Sequence, residues 1–251
     1  MNNGYGEFAY FYDELNRDFP YEEVADHYDA LIKKFGAPGD ILLDLGCGTG
    51  TLSFLLEEKG YDVVGVDASE EMLSAALEKK MDSGSDVLFL CQRMEELDMF
   101  GTMDITVSCL DCINHLPDLS TVKAAFEKVH LFAHPQGLFI FDCNTVYKHR
   151  NVLAGQTFVY ETDEVYCVWQ NTLAKDDTVQ IDLDIFAASQ DEDGIYERYG
   201  ESFTERAYEQ NVIEKLLAEC GFELLAVYDG FTFDAPKADS QRLMFVARNV
   251  K

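Results

Sequence analysis

No run of apolar residues approaches the roughly 18 that a transmembrane helix needs, and Met1 to Tyr10 lacks both the basic and the apolar stretch of a secretion signal. A cytoplasmic chain without a membrane partner is the expectation. Basic residues are scarce, with 19 Lys plus Arg against 47 Asp plus Glu, a formal net charge of −28. A field of that sign repels a phosphate backbone, which disfavours a nucleic-acid partner and makes small or cationic partners easier. The acid serves surface solubility equally well. Seven cysteines, an odd number scattered through apolar segments, do not read as a disulfide framework, so reduced thiols are expected. There is no internal repeat and no low-complexity linker. What remains is 251 residues, 47% hydrophobic and 26% charged. That is enough for one or two domains burying about 70–75% of their unfolded surface without disulfide or metal.

From Tyr5 to Tyr21 the chain is dense in aromatics without clean periodicity, as in a segment lying on the rest of the protein. Pro20 suits a first helical turn; Val24, Tyr28, Leu31, Ile32 and Phe35 then recur at helical spacing, with Gly36 as a stop. Beyond Pro38-Gly39 short apolar runs alternate with helical stretches, the pattern of βαβ units and a parallel sheet. The expected strands are Ile41–Leu45, Asp62–Val66, Val87–Cys91, Asp104–Cys109 and Gly137–Cys143. The expected helices run from about Thr49 to Lys59, Glu70 to Lys80 and Ser120 to Phe132, with Ser69 and Ser120 as N-caps. After Cys143 the period changes to alternation, clearest at Val179, Ile181, Leu183 and Ile185. Turn signals at Asp176-Asp177 and Glu192-Asp193-Gly194 then give an antiparallel insertion of three to four strands. A helix from about Tyr208 to Glu219 and strands at Phe222–Tyr228 and Leu243–Ala247 return to the α/β pattern.

The residues that carry chemistry begin with Asp44-Leu45-Gly46-Cys47-Gly48-Thr49-Gly50, which follows an apolar strand and opens a helix. Alternate glycines let the backbone turn tightly and let a ligand approach main-chain N–H groups at the helix start. A dinucleotide fingerprint would need a third glycine at position 51, which is Thr, and this spacing argues against NAD. Asp67 ends the next strand about twenty residues on, where a carboxylate accepts from ribose hydroxyls. Taken singly, Gly50 eases helix packing and Asp67 caps the following helix with Ser69; taken together in this order they point to a nucleoside ligand. Cys109 and Cys112 form a Cys-x-x-Cys without a second pair at zinc-ribbon spacing, and they read as buried small hydrophobes with no metal.

The motif Asp44-x-Gly-x-Gly-x-Gly, followed by Val66-Asp67-Ala68-Ser69 and Met72-Leu73, resembles the class I S-adenosylmethionine-dependent methyltransferases, most specifically from about Ile41 to Cys143. The resemblance implies an α/β, Rossmann-like, seven-stranded mostly parallel sheet in the order 3-2-1-4-5-7-6, with an antiparallel β insertion capping the active site. It implies S-adenosyl-L-methionine as cofactor. Gly46, Cys47, Gly48, Thr49 and Gly50 would lie along its methionine part, Asp44 would hold the ammonium end, and Asp67 the ribose, with Ala68 and Met72 beside it. Where the family often has an acidic residue for the adenine amino group, this chain has Arg93, which cannot accept a hydrogen bond; Met94 follows with its backbone N–H, and Gln92 is a second candidate acceptor. The stretch Ser108 to Leu116 resembles the segment that runs under the cofactor in small-molecule N-methyltransferases, including those acting on amino sugars. By that match Leu110 is cofactor-adjacent and His115 is catalytic at the acceptor. Tyr10-Phe11-Tyr12-Asp13 resembles their aromatic lid, with Tyr12 as the second catalytic candidate, and Arg206 and Tyr208 are expected on the acceptor side.

The implied parts are 1–143 (lid helices and cofactor-binding core), 144–206 (cap) and 207–251 (completion of the sheet). The expected activity is methyl transfer by in-line displacement to a small-molecule acceptor, favoured by the negative charge and by the lack of an Asn-Pro-Pro-Tyr element. A non-catalytic S-adenosylmethionine sensor acting through a partner is the alternative from another class.

Overall fold

The computed structural model describes residues 8–189 and 194–251. Two sheets organise them. The larger is built from β1 (Ile41–Leu45), β2 (Asp62–Asp67), β3 (Leu88–Cys91), β4 (Met103–Ser108), β5 (Ala133–Asn144) and a late pair, β10 (Phe222–Asp229) and β11 (Arg242–Asn249). Its order is β3-β2-β1-β4-β5-β11-β10, with β11 antiparallel to both neighbours and the other pairings parallel. This is the expected seven-stranded order.

Strand alternation sends neighbouring side chains to opposite faces, and both faces are covered, so the strands read as continuous apolar runs. Leu43 and Phe139 pack under α5 (Leu119–Phe132) and α7 (Gln210–Glu219). Leu42 and Leu138 pack under α2 (Tyr21–Phe35) and α3 (Thr51–Glu58). Gly36 ends α2 as expected. Ser69 caps α4 (Glu70–Ser83) by accepting from Met72 N–H at 3.2 Å. The cap of α5 is Asp118, which accepts from Thr121 N–H at 2.8 Å, and not Ser120, because the helix starts one residue earlier.

The second sheet is antiparallel, in the order β6 (Thr157–Glu161), β7 (Val165–Leu173), β8 (Thr178–Ala188), β9 (Tyr196–Arg206). The alternation at Val179, Ile181, Leu183 and Ile185 buries one face of β8. That face packs with Phe8 and Ala9 of α1 (Phe8–Leu15), with Met72, and with Leu153. Leu153 belongs to a connector that the sequence pattern did not suggest: the single turn α6 (Val146–Lys148) continuing into a π-helical turn at His149–Leu153. The aromatic N-terminal segment is thus helical from Phe8; Tyr5 and the turn signal Glu192-Asp193 lie outside the described residues. No helix among the described residues is long and apolar enough to cross a membrane, and all seven cysteines are free thiols.

Candidate functional site

A cavity of about 520 Å³ opens at the carboxyl ends of β1, β2 and β4, between the large sheet and α1 with the second sheet. Open α/β sheets bind ligands at this edge because loops and helix N-termini converge there. Of the residues expected at the site, Tyr12, Asp44, Gly46, Cys47, Gly48, Thr49, Asp67, Ala68, Met72, Arg93, Met94, Leu110 and His115 all line it.

Gly50 does not. It sits at φ 77° before α3, and a Cβ there would meet the Phe89 ring at 2.8 Å, so it faces packing away from the cavity. Gly46 is demanded more strictly: at φ 83° a Cβ would fall 2.6 Å from Cys112 Sγ and 2.9 Å from Met94 Cε. Cys112 is therefore wall rather than buried filler; it lines the cavity and closes against the Gly46 carbonyl at 3.3 Å. Cys109 is buried as expected.

Two carboxylates form the floor. Asp44, 1% exposed at the end of β1, accepts from the Ser53 hydroxyl of α3 at 2.5 Å. Burial pushes its carboxyl up to about 7 against that hydrogen bond and with the repulsion of Asp67. Asp67, at the end of β2, accepts from Gly48 N–H at 2.8 Å and Ser69 N–H at 2.9 Å, which ties the glycine loop to the start of α4. Burial raises this carboxyl too, against those N–H groups. Every donor here is neutral, and no cation among the described residues pairs with either acid. Such a floor fits a ligand that brings its own positive charge.

The lid is tied down through Asp13. It accepts from Thr49 Oγ1 and from Lys79 Nζ, both at 2.6 Å, while Lys79 also reaches Thr51 Oγ1 at 2.9 Å. This places Tyr12 over the glycine loop, hydrogen-bonded to Tyr21, a further cavity residue. On the opposite side Arg93 turns its guanidinium onto Glu95 at 2.6 Å, and Gln92 spends its amide on both backbone groups of Asp98. Gln92 is thus no free acceptor, and the carboxylate at this end of the cavity is Glu95.

Leu110 and Asp111 both adopt left-handed backbone, φ 60° and 58°, a strained conformation for non-glycine residues. Asp142 of β5 holds it. Its carboxylate accepts from Leu110 N–H at 2.8 Å, from Asp111 N–H at 3.2 Å and from the Tyr28 hydroxyl at 3.3 Å, and it pairs with Arg242 of β11. Arg242 also reaches Asp111 at 2.9 Å. Burial alone would raise Asp111, but Arg242, Lys148 and His115 hold it well below the usual carboxylate range. His115 follows in a short 3-10 turn, Cys112–His115, with its ring 5.4 Å from that of Phe203 of β9. Burial lowers its imidazole from the ordinary value and Asp111 pulls the other way. Tyr208 and Arg206 do not line the cavity. The Tyr208 ring is buried in the core with its hydroxyl on the Leu116 carbonyl at 2.9 Å, and Arg206 lies over that ring.

The comparisons with known proteins agree with this geometry. The family described as Methyltransferase domain matches residues 42–137. Over 249 residues the chain is 35% identical to YqeM of Bacillus subtilis (strain 168), which carries the name of a methyltransferase, covering 98% of each protein. It superposes on an S-adenosylmethionine-dependent methyltransferase from Clostridium acetobutylicum ATCC 824 with TM-score 0.88 and 31% identity, over 98% of this chain and 99% of that one. The fold also matches the sugar N-methyltransferase KedS8 from Streptoalloteichus sp ATCC 53650, with TM-score 0.79 and 18% identity, over 98% and 94%. With a cavity whose acidic floor suits a cationic nucleoside, this chain belongs to the methyltransferase-domain family and is an S-adenosylmethionine-dependent methyltransferase.

Proposed function

We propose that the enzyme methylates a small molecule held between Tyr12, His115 and Phe203, and that it does so in the cytoplasm. The observation that carries this is the polarity of one cavity. Its floor is Asp44 and Asp67, without a counter-cation among the described residues; its far wall is His115 with aromatic rings, enclosed by α1 and β9. A cavity covered in this way suits a compact acceptor better than a polymer. The neighbour KedS8 is by its name a sugar N-methyltransferase, and this supports an acceptor of the same size class, including amines.

The cofactor supplies a methyl group on an already activated sulfonium. The protein's share is alignment, exclusion of water and removal of a proton from the nucleophile. Asp44 and Asp67 hold the ammonium and ribose ends, with Gly46, Cys47, Gly48 and Thr49 along the chain between them. Ala68, Met72, Met94 and Leu110 enclose the remainder, and Glu95, steadied by Arg93, provides the acceptor that position 93 lacks. Tyr12 closes the lid, and His115 receives the acceptor's proton, since an imidazole works near neutral pH. Residues 1–143 and 207–251 then act as the cofactor-binding part and 144–206 as the cap.

Calorimetric titration with S-adenosylmethionine, S-adenosylhomocysteine and NAD tests the cofactor half: micromolar binding of the first two and none of the third is expected. Transfer of labelled methyl from S-adenosylmethionine into the small-molecule fraction of a deproteinised cell extract tests the other half. Label appearing only in added RNA or protein would overturn the acceptor class, and wild-type turnover by His115→Ala on the substrate so found would overturn the role of His115.

A further inference from the structure

Behind His115 lies a buried carboxyl that the cofactor site does not use. Glu205, on β9, is 4% exposed and stands between two imidazoles. His115 Nε2 is 3.9 Å from one carboxyl oxygen and His149 Nε2 is 3.8 Å from the other, while Asn144 Nδ2 donates to that second oxygen at 3.1 Å. His149 has a settled tautomer. Its Nδ1 lies 2.7 Å from the Asp177 carbonyl, which can only accept, so the ring proton is on Nδ1 and a neutral His149 turns a bare Nε2 towards Glu205. That nitrogen has no hydrogen bond among the described residues. A bare nitrogen facing an ionised carboxylate in a dry interior is unfavourable, and this favours the neutral carboxyl.

We propose that Glu205 is the positioning residue beneath His115: its buried carboxyl and the imidazole titrate as one unit, so that the charge on Glu205 sets the pH at which His115 takes up the acceptor's proton. The inference rests on His115 being the acceptor-side base. In the transfer the acceptor's X–H bond breaks and its proton forms a bond to the His115 imidazole. The pair gains one proton and one positive charge, and the nucleophile keeps its electron pair for the methyl group.

The surroundings agree. Burial pushes Glu205 up to about 8, and Asp111 pushes in the same direction, against Lys148, the Asn144 amide and Arg242. The charged and titratable groups around it come from several neighbouring elements: Asp111 and His115 from the 3-10 segment, Lys148 and His149 from the connector after β5, and Arg242 from β11. Once Glu205 ionises in mildly alkaline solution, its negative charge 3.9 Å from Nε2 favours a proton on His115.

Nitrogen-15 NMR of histidine-labelled full-length protein reads this without knowing the acceptor. The signal of His115 is identified by its loss in His115→Asn, and it is followed from pH 5 to 9.5 with and without S-adenosylhomocysteine. The expected result is a two-step His115 titration whose upper step lies near pH 8, with that step lost in Glu205→Gln. A single step with the same midpoint in wild type and in folded Glu205→Gln would overturn the proposal. Should Glu205→Gln fail to fold, carbon-13 detection of glutamate carboxyls in wild type and His115→Asn takes its place. A carboxyl titrating near pH 8 that shifts by half a unit or more on loss of His115 supports the pair, and one that does not move refutes it. Absence of S-adenosylhomocysteine binding would strike the functional reading instead, since the coupling is also read in the free protein.

Discussion

Asp44 is buried and Asp67 half-buried, and among the described residues both meet neutral donors only, whereas Asp111 and Asp142, across the same cavity edge, share the guanidinium of Arg242. Both pairs sit at or just beyond strand ends of one sheet, and both hold backbone in place. The first pair is an incomplete electrostatic unit, completed by what enters the cavity. The second is complete within the fold and fixes the left-handed turn at Leu110 and Asp111. Burial and residue type therefore do not separate a ligand-binding acid from a structural one; the presence of an internal counter-cation does.

The comparison breaks first at Arg242. Arg242→Met takes the guanidinium from buried Asp142 and half-buried Asp111 and should cost about 3–5 kcal/mol of unfolding free energy, read from urea or guanidinium melts. A loss under about 1 kcal/mol would mean that the second pair is no better completed than the first. Asp67→Asn is the counterpart. It should leave the fold standing but weaken S-adenosylmethionine binding about 10–100-fold by calorimetry, since a charged hydrogen bond is worth about 1.5–3 kcal/mol.

The pH dependence sharpens the same contrast. Asp44 and Glu205 are raised to about 7 and about 8, so the native state binds protons that the unfolded chain has released. Their contribution to stability is present below the ordinary carboxylate range and is lost as pH rises through 7 and 8. Asp111, which is depressed, works in the opposite sense: its contribution is present above the ordinary carboxylate range and is lost only as pH falls into acid. The ligand-free protein should therefore melt several degrees lower at pH 8 than at pH 5.5, while affinity for S-adenosylmethionine rises up to about tenfold from pH 6 to 8 as Asp44 ionises. A flat affinity profile would remove Asp44 from the charge balance of the site. The smallest effect belongs to Arg93, whose ion pair with Glu95 is half exposed; Arg93→Ala should change unfolding free energy by less than about 1 kcal/mol in the same melts.

The glycine loop, Asp44, Asp67 and the strand rhythm were legible because each is written within a few consecutive residues whose backbone needs are local. The alternation of β8 was legible for the same reason. Arg242 and Asp142 were not, because the pair is joined only by the β5–β11 register, in which Asn144 stands opposite Arg242 and Asp142 opposite Met244. Glu205 reads in sequence as one more acid in a polar strand, and nothing local says that β9 turns it inward against two histidines. Ser120 and Asp118 were both competent caps, and only the start of α5 chose between them. Proximity in sequence to the cap points Arg206 and Tyr208 towards the acceptor side, but Tyr208 belongs to the core under α7.

The clamp on Leu110 and Asp111 also constrains when this enzyme can come into being. Its arginine lies 131 residues downstream of Asp111, on a strand that pairs antiparallel with β5 and β10. While the chain emerges from a ribosome, β1 to β5 can assemble early, but the turn that carries His115 stays without its counter-charge until β11 has left the exit tunnel. A nascent chain can thus show a folded nucleotide-binding half and still lack an ordered reaction centre, so that cofactor capture and chemical competence arise at separate moments of synthesis.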